Sequence, residues 1–479
     1  MQHARFLAYR SVVSYIRHDF ISITMSLMIS ISGIRGIVGS SLTPETVVKY
    51  ASAFAEYCPP SAGQPIVIGR DGRVTGKSIG HIVSSTLLQM GCDVIAIGVC
   101  PTPTVQIAVE KLRATGGISI TASHNPIEWN GLKFIAPTGL FLDAEENSRL
   151  WQIAEQPERR YASWDKQGKH RTGQEFIDEH IRQIVGLPYL DLEKLRSRRF
   201  KVVVDCVNGA GGTIVPKLLR ELGCDVIETN CDASGIFAHT PEPIPENLTD
   251  LCDRVKEEHA DLGIAVDPDV DRLVLIDELG QPIGEEYTIA SVVRFVLLKE
   301  KGRHPMNVVV NLSTTRAVDD IGRQLGATVI RTPVGEINVA KRMKEVGAIV
   351  GGEGSGGVIL PKVHLGRDAP VGIGLTLQHL LEFGGTLSQL KQSLPQYHIT
   401  KGKITVQSDQ ADTMLEMVKT RHAKNGNINT ADGLKIDFPD SWVHLRKSNT
   451  EPIVRIIAEA PSKEQSQQLV ERFKKEFQS

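Results

Sequence analysis

A chain of 479 residues, 41% hydrophobic and with a formal net charge of −2, is too long for one hydrophobic core and carries no excess of either charge. Acids and bases are interspersed, which excludes a basic face for nucleic acid or an acidic tail for a basic partner and points to a small-molecule ligand. None of the seven cysteines has Cys-x-x-Cys spacing, and Cys92, Cys206 and Cys224 sit in apolar strand-like runs; they read as reduced core residues of a cytoplasmic protein.

In chain order, residues 1–24 carry Arg5, Arg10 and Arg17 against the single acid Asp19 and precede a second methionine, Met25. They read as a leader outside the core, expected to be disordered, or as the product of a start codon set too far upstream, with a transit peptide as the alternative. The apolar run from Ile21 to Ile31 is too short and interrupted to span a membrane, so no membrane partner is expected.

Three later segments repeat one plan: apolar strand, loop of small residues, amphipathic helix, glycine, second strand. They start at Pro65-Ile66-Val67-Ile68, Lys201-Val202-Val203-Val204 and Asn307-Val308-Val309-Val310. In each, a glycine (Gly91, Gly223, Gly326) stands where a helix C-cap needs a left-handed residue. From about Lys401 the pattern changes to short alternating strands around helices at Ala411 to Arg421 and Lys463 to Phe477. The expectation is three α/β domains, at 25–172, 173–282 and 283–397, and a smaller α+β domain at 398–479.

Four loops carry chemistry. In Thr121-Ala122-Ser123-His124-Asn125-Pro126 an apolar strand delivers Ser123 into a tight loop, with Lys133 just beyond the Asn130-Gly131 turn. A hydroxyl among potential anion-binding groups has the look of a phosphorylatable nucleophile, although an ordinary turn has the same composition. Asp267-Pro268-Asp269-Val270-Asp271-Arg272 sets three alternate carboxylates between apolar strands. If locally extended they project to one side and offer the hard oxygens that magnesium prefers; Arg272 in place of the turn glycine excludes an EF-hand.

Gly351-Gly352-Glu353-Gly354-Ser355-Gly356-Gly357 can approach sugar hydroxyls closely, and fits a hairpin turn equally well. Arg446-Lys447-Ser448-Asn449-Thr450-Glu451-Pro452-Ile453-Val454-Arg455 suits a phosphate, or a salt-bridged surface loop. Asn208-Gly209-Ala210-Gly211-Gly212 lacks the third glycine of a dinucleotide site, where Ile214 stands, and reads as a packing loop.

Together, from Met25 onward, these loops resemble the α-D-phosphohexomutases, which interconvert sugar 1-phosphates and 6-phosphates. The resemblance implies three similar α/β domains with mixed sheets sandwiched by helices and a smaller fourth, around one central cleft. It implies a phosphoserine at Ser123, Mg2+ held by Ser123, Asp267, Asp269 and Asp271, and catalytic roles for Lys133, His124 and Arg35 of the Ser32-Gly33-Ile34-Arg35-Gly36 stretch. Arg272, Glu353, Ser355, Arg446, Ser448, Asn449, Thr450 and Arg455 would bind substrate, a hexose phosphate that turns over through a sugar bisphosphate. Glucosamine phosphate is the substrate of choice, with mannose or glucose phosphate as alternatives and a metal-dependent sugar phosphatase as rival. Two departures stand out: Pro268 and Val270 replace frequent glycines, and Gly357 replaces a frequent histidine, for which His364 is the expected substitute.

Overall fold

The computed structural model describes residues 27–61, 63–406, 408–424, 426–447 and 453–478. The leader at 1–24 and the phosphate-loop residues Ser448, Asn449 and Thr450 lie outside the described residues.

Among the described residues four sheets follow one another along the chain, and three share a motif. In the first, strand Ile66–Arg70 lies between parallel partners Val94–Val99 and Gly116–Ile120, and Trp129–Ile135 runs antiparallel to the latter. The second repeats this with Lys201–Asp205 between Asp225–Thr229 and Leu262–Val266, and Leu273–Ile276 as the antiparallel edge. The third does so with Asn307–Asn311 between Thr328–Thr332 and Val350–Glu353, and Gly357–Ile359 at the edge. Central strands of Val and Ile with both faces buried are what helices on either side require. The expected caps are present: Gly91, Gly223 and Gly326 have φ of +84°, +84° and +73°.

This repeat explains where the chemistry lies. Ser123, the three aspartates and the Glu353 loop each occupy the same topological position, the turn between the last parallel strand and its antiparallel neighbour. The metal-type and sugar-type loops are bonded directly, Leu273 N donating to Gly356 O at 3.0 Å, and Thr102 N of the first unit donates to Asp269 O at 3.0 Å. One continuous apolar cluster, including Val202, Val266, Val292, Val310 and Val358, runs through the second and third sheets. The three loops therefore sit on a shared scaffold.

The fourth unit is a five-stranded antiparallel sheet carrying helices Ser408–His422 and Lys463–Gln478. All seven cysteines are free thiols. Among the described residues no helix is long and apolar enough to cross a membrane.

Candidate active site

Ser123 is buried and holds a φ of +50°, a conformation that costs a non-glycine residue about 1–3 kcal/mol and persists only where its surroundings impose it. They do. Thr121 Oγ1 accepts from Ser123 N at 2.9 Å and donates to Asp71 Oδ2 at 2.6 Å. Arg73, wholly buried, spreads its guanidinium over the loop: Nη1 donates to the carbonyls of Pro126 and Trp129, Nη2 to those of Ser123 and Asn125, all within 2.9 Å. Its Nε donates to Asp71 Oδ2 at 3.1 Å, which balances the buried charge.

So held, Ser123 Oγ donates to Asp267 Oδ2 at 3.0 Å and lies 3.4 Å from His124 Nδ1. The three aspartates are not locally extended, the condition under which the sequence would project them to one side. Val270 N donates to Asp267 O at 3.0 Å and Val270 has φ +64°, so a tight turn, not strand alternation, converges the carboxylates. One ligand oxygen from each of Asp267, Asp269 and Asp271 falls within 4.8 Å of the others. Among the described residues Asp269 Oδ1 and Asp271 Oδ1 are buried without hydrogen-bond partners, and Asp267 is pushed well above the usual carboxylate range by burial and by its two neighbours. Hard oxygens, mutual repulsion and orphaned lone pairs together fit a divalent cation.

Lys133 Nζ donates to Asp269 Oδ2 at 2.6 Å and to Asp271 Oδ2 at 3.4 Å. Burial works against its charge, but the two carboxylates win and raise its pKa, so it is an ammonium in this state. His124 goes the other way: burial, then Arg272 and Arg35, push it down to about 2. It is therefore neutral, a hydrogen-bonding neighbour of Ser123 rather than a proton reservoir. Arg35 Nη1 donates to Asn125 Oδ1 at 3.0 Å, while the buried Nε atoms of Arg35 and Arg272 lack hydrogen-bond partners among the described residues.

These groups surround a cavity of about 280 Å³ lined by Arg35, Ser123, Lys133, Arg272, Glu353, Ser355 and Arg446, all singled out from sequence. Arg455 does not line it; it is exposed on the strand beside Arg446, its register partner. Glu353 is fully engaged: Oε1 accepts from Asn311 Nδ2 at 2.8 Å and Gly335 N at 2.9 Å, and Oε2 from Arg367 Nη1 at 2.7 Å. His364 is displaced from the role expected of it. It is buried away from the cavity lining, and its Nε2 lies 2.9 Å from Asp368 Oδ2, which also meets His180 Nε2 at 2.7 Å.

Sequence reasoning missed Arg367, three residues beyond His364. It joins three acids, donating to Asp271 at 2.6 Å, Glu353 at 2.7 Å and Glu336 at 3.1 Å. Glu336 and Glu286, also on the cavity wall, were missed because each stands in the first turn of a helix, where acids are ordinary. The Asn208–Gly212 stretch does pack: Ala210 N donates to Pro268 O at 2.9 Å, beneath the aspartate turn.

Comparison with known proteins agrees with this architecture. Domain models of the phosphoglucomutase/phosphomannomutase family match residues 28–160, 178–280 and 285–397 for alpha/beta/alpha domains I, II and III, and 403–476 for the C-terminal domain. A Thermococcus kodakarensis protein named phosphoglucomutase/phosphomannomutase is 38% identical over 92% of this chain and 96% of its own. A Methanopyrus kandleri protein named probable phosphoglucosamine mutase is 37% identical with the same coverage. The crystal structure of a phosphoglucomutase/phosphomannomutase family protein from Burkholderia thailandensis superposes with a TM-score of 0.82 at 26% identity, covering 94% of this chain and 98% of that one. With all four domains matched in order, the chain belongs to the phosphoglucomutase/phosphomannomutase family of phosphohexomutases.

Proposed function

We propose that this protein interconverts hexose 6-phosphate and hexose 1-phosphate through a phosphoserine at Ser123 and a sugar bisphosphate. The observation that carries the reading is Ser123 Oγ hydrogen-bonded at 3.0 Å to Asp267 within a converged carboxylate turn at the wall of the cleft. Phosphoserine brings close to two negative charges, which the cations lining the cleft, Arg35, Lys133 and Arg272, offset. Transfer breaks the bond between phosphorus and Ser123 Oγ and forms one to a sugar hydroxyl, whose proton must leave. Lys133 can take that proton at Nζ only when Asp269 no longer holds it as an ammonium, since burial alone lowers its pKa. Mg2+, held by Ser123, Asp267, Asp269 and Asp271, would supply positive charge to the phosphoryl oxygens. Glu353 and Ser355 face the sugar, while Arg446 grips the distal phosphate.

Glucosamine phosphate is the proposed substrate, supported by the name of the Methanopyrus kandleri relative; mannose or glucose phosphate is the alternative, after the name of the Thermococcus kodakarensis relative. Incubation with glucose 1,6-bisphosphate followed by peptide mapping should place one phosphate on Ser123, and Ser123→Ala should lose turnover. A Ser123→Ala variant with full activity would end the phosphoserine reading. A hexose 1-phosphate preferred about tenfold over glucosamine 1-phosphate would overturn only the substrate choice.

A further inference from the structure

The cleft wall carries three glutamates, and their electrostatic situations differ. Glu353 and Glu336 both pair with Arg367, at 2.7 and 3.1 Å. Glu286 has no cation within ion-pair distance among the described residues. Of the cations that line the cavity, Lys133 is committed to Asp269 and Asp271, Lys401 to Glu285 at 2.5 Å and Arg446 to Asp432 at 2.9 Å; Arg35 and Arg272 also line it, and among the described residues neither pairs with Glu286. Glu286 is also only half used as an acceptor. Oε2 takes Thr315 N at 2.8 Å, and Oε1 accepts from no protein group among the described residues. Its carboxylate presses on the sugar-type loop, where a Cβ at Gly354 would collide with both oxygens. Gly354 and Ser355 line the same cavity, so the spare oxygen sits where a sugar ring lies if that loop binds sugar.

Resting on the mutase reading above, we propose that Glu286 is the specificity-determining residue that selects an amino sugar phosphate, its free oxygen receiving the ammonium group of the substrate. Glu353 cannot serve as well, because it already has Arg367 as an ion-pair partner and its oxygens accept three bonds. Burial, helped by Glu285 and Glu459 nearby, outweighs the hydrogen bond from Thr315 N and the committed Lys401 and raises the Glu286 pKa to about 8. An ammonium placed beside it supplies the counter-charge the fold omits, so binding is coupled to ionisation of the carboxyl group. A neutral hydroxyl provides no such compensation.

Isothermal titration of the full chain with glucosamine 6-phosphate and with glucose 6-phosphate tests this without requiring turnover. Glu286→Gln keeps the shape and the acceptor for Thr315 N, and should lower the ratio of the two affinities, glucosamine over glucose, by about tenfold or more. Near pH 7, in buffers of different ionisation enthalpy, wild type should release more protons with glucosamine 6-phosphate than with glucose 6-phosphate, and Glu286→Gln should remove that difference. Equal weakening of both sugars, or an unchanged ratio and proton count, would show that Glu286 merely braces the Thr315 turn. If wild type bound neither sugar phosphate, the mutase reading itself would fall, an outcome distinct from loss of the Glu286 assignment.

Discussion

Arg73 Nη2 donates to the carbonyl of Ser123 at 2.7 Å, so the backbone of the candidate nucleophile is fixed by a guanidinium that no solvent reaches. Four loop carbonyls share this one cation, and a planar fork is the only side chain that can serve them all. Arg73→Lys keeps the charge but loses the fork. We expect it to slow phosphate incorporation at Ser123 by about 100-fold, the order of penalty for a reacting group displaced by an ångström. Arg73→Met leaves Asp71 buried without its cation and should cost about 3–5 kcal/mol, read as a fall in thermal unfolding temperature. Wild-type phosphorylation rates in Arg73→Lys would mean that Thr121 and Asp71 suffice to hold the loop.

Val270 offers a sign test of backbone strain. At an ordinary buried site glycine is the less stable choice than alanine, by roughly 0.5–1 kcal/mol. At φ +64° the order should reverse, because alanine keeps the left-handed penalty that glycine escapes. Chemical unfolding should find Val270→Gly more stable than Val270→Ala by about 1 kcal/mol. The opposite order would show that the turn relaxes when the valine is cut back.

Asp269→Asn removes the charge that Lys133 meets at 2.6 Å and one proposed metal ligand. Magnesium titration of activity should shift to concentrations at least about tenfold higher, while circular dichroism stays that of wild type. The same magnesium dependence in variant and wild type would remove Asp269 from the ligand set.

Arg446 lines the cleft and Arg455 is its register partner on the neighbouring strand, outside the cavity lining; the mutase reading assigns the non-reacting phosphate to Arg446. Arg446→Ala should raise KM by about 10-fold or more with a smaller change in kcat, and Arg455→Ala should do the same to a lesser degree. Loss confined to kcat in Arg446→Ala would instead place this arginine at the reacting phosphate.

His444 ties the last unit to the third: Nδ1 accepts from Ser313 Oγ at 2.8 Å and Nε2 donates to Asp432 O at 2.6 Å. Burial lowers its pKa from 6.5 to about 4. Between those values the unfolded chain binds a proton that the folded chain does not, so stability is greatest above pH 6.5 and falls as the solution is acidified. His444→Gln should reduce this acid-side loss by up to about 2 kcal/mol at pH 5, measured as a smaller drop in unfolding temperature between pH 7.5 and 5. An identical pH dependence in the variant would assign the loss to other groups.

Local sequence determined the units. Val and Ile runs, small-residue loops and the glycines at 91, 223 and 326 specify a repeated α/β plan because strand burial and left-handed caps are short-range requirements. Ser123, the three aspartates and Glu353 were legible for the same reason, each being set at the end of a strand by the residues beside it. What tertiary structure alone decided was which charges meet. Lys133 finds Asp269 across 136 positions, and Arg367 finds Asp271 across 96. His364 is drawn to Asp368 and His180 instead of the cleft, and among the described residues Glu286 is left with an oxygen to spare. Pairing between buried charges depends on distances of a few ångströms between segments far apart in the chain, and no local pattern encodes those distances.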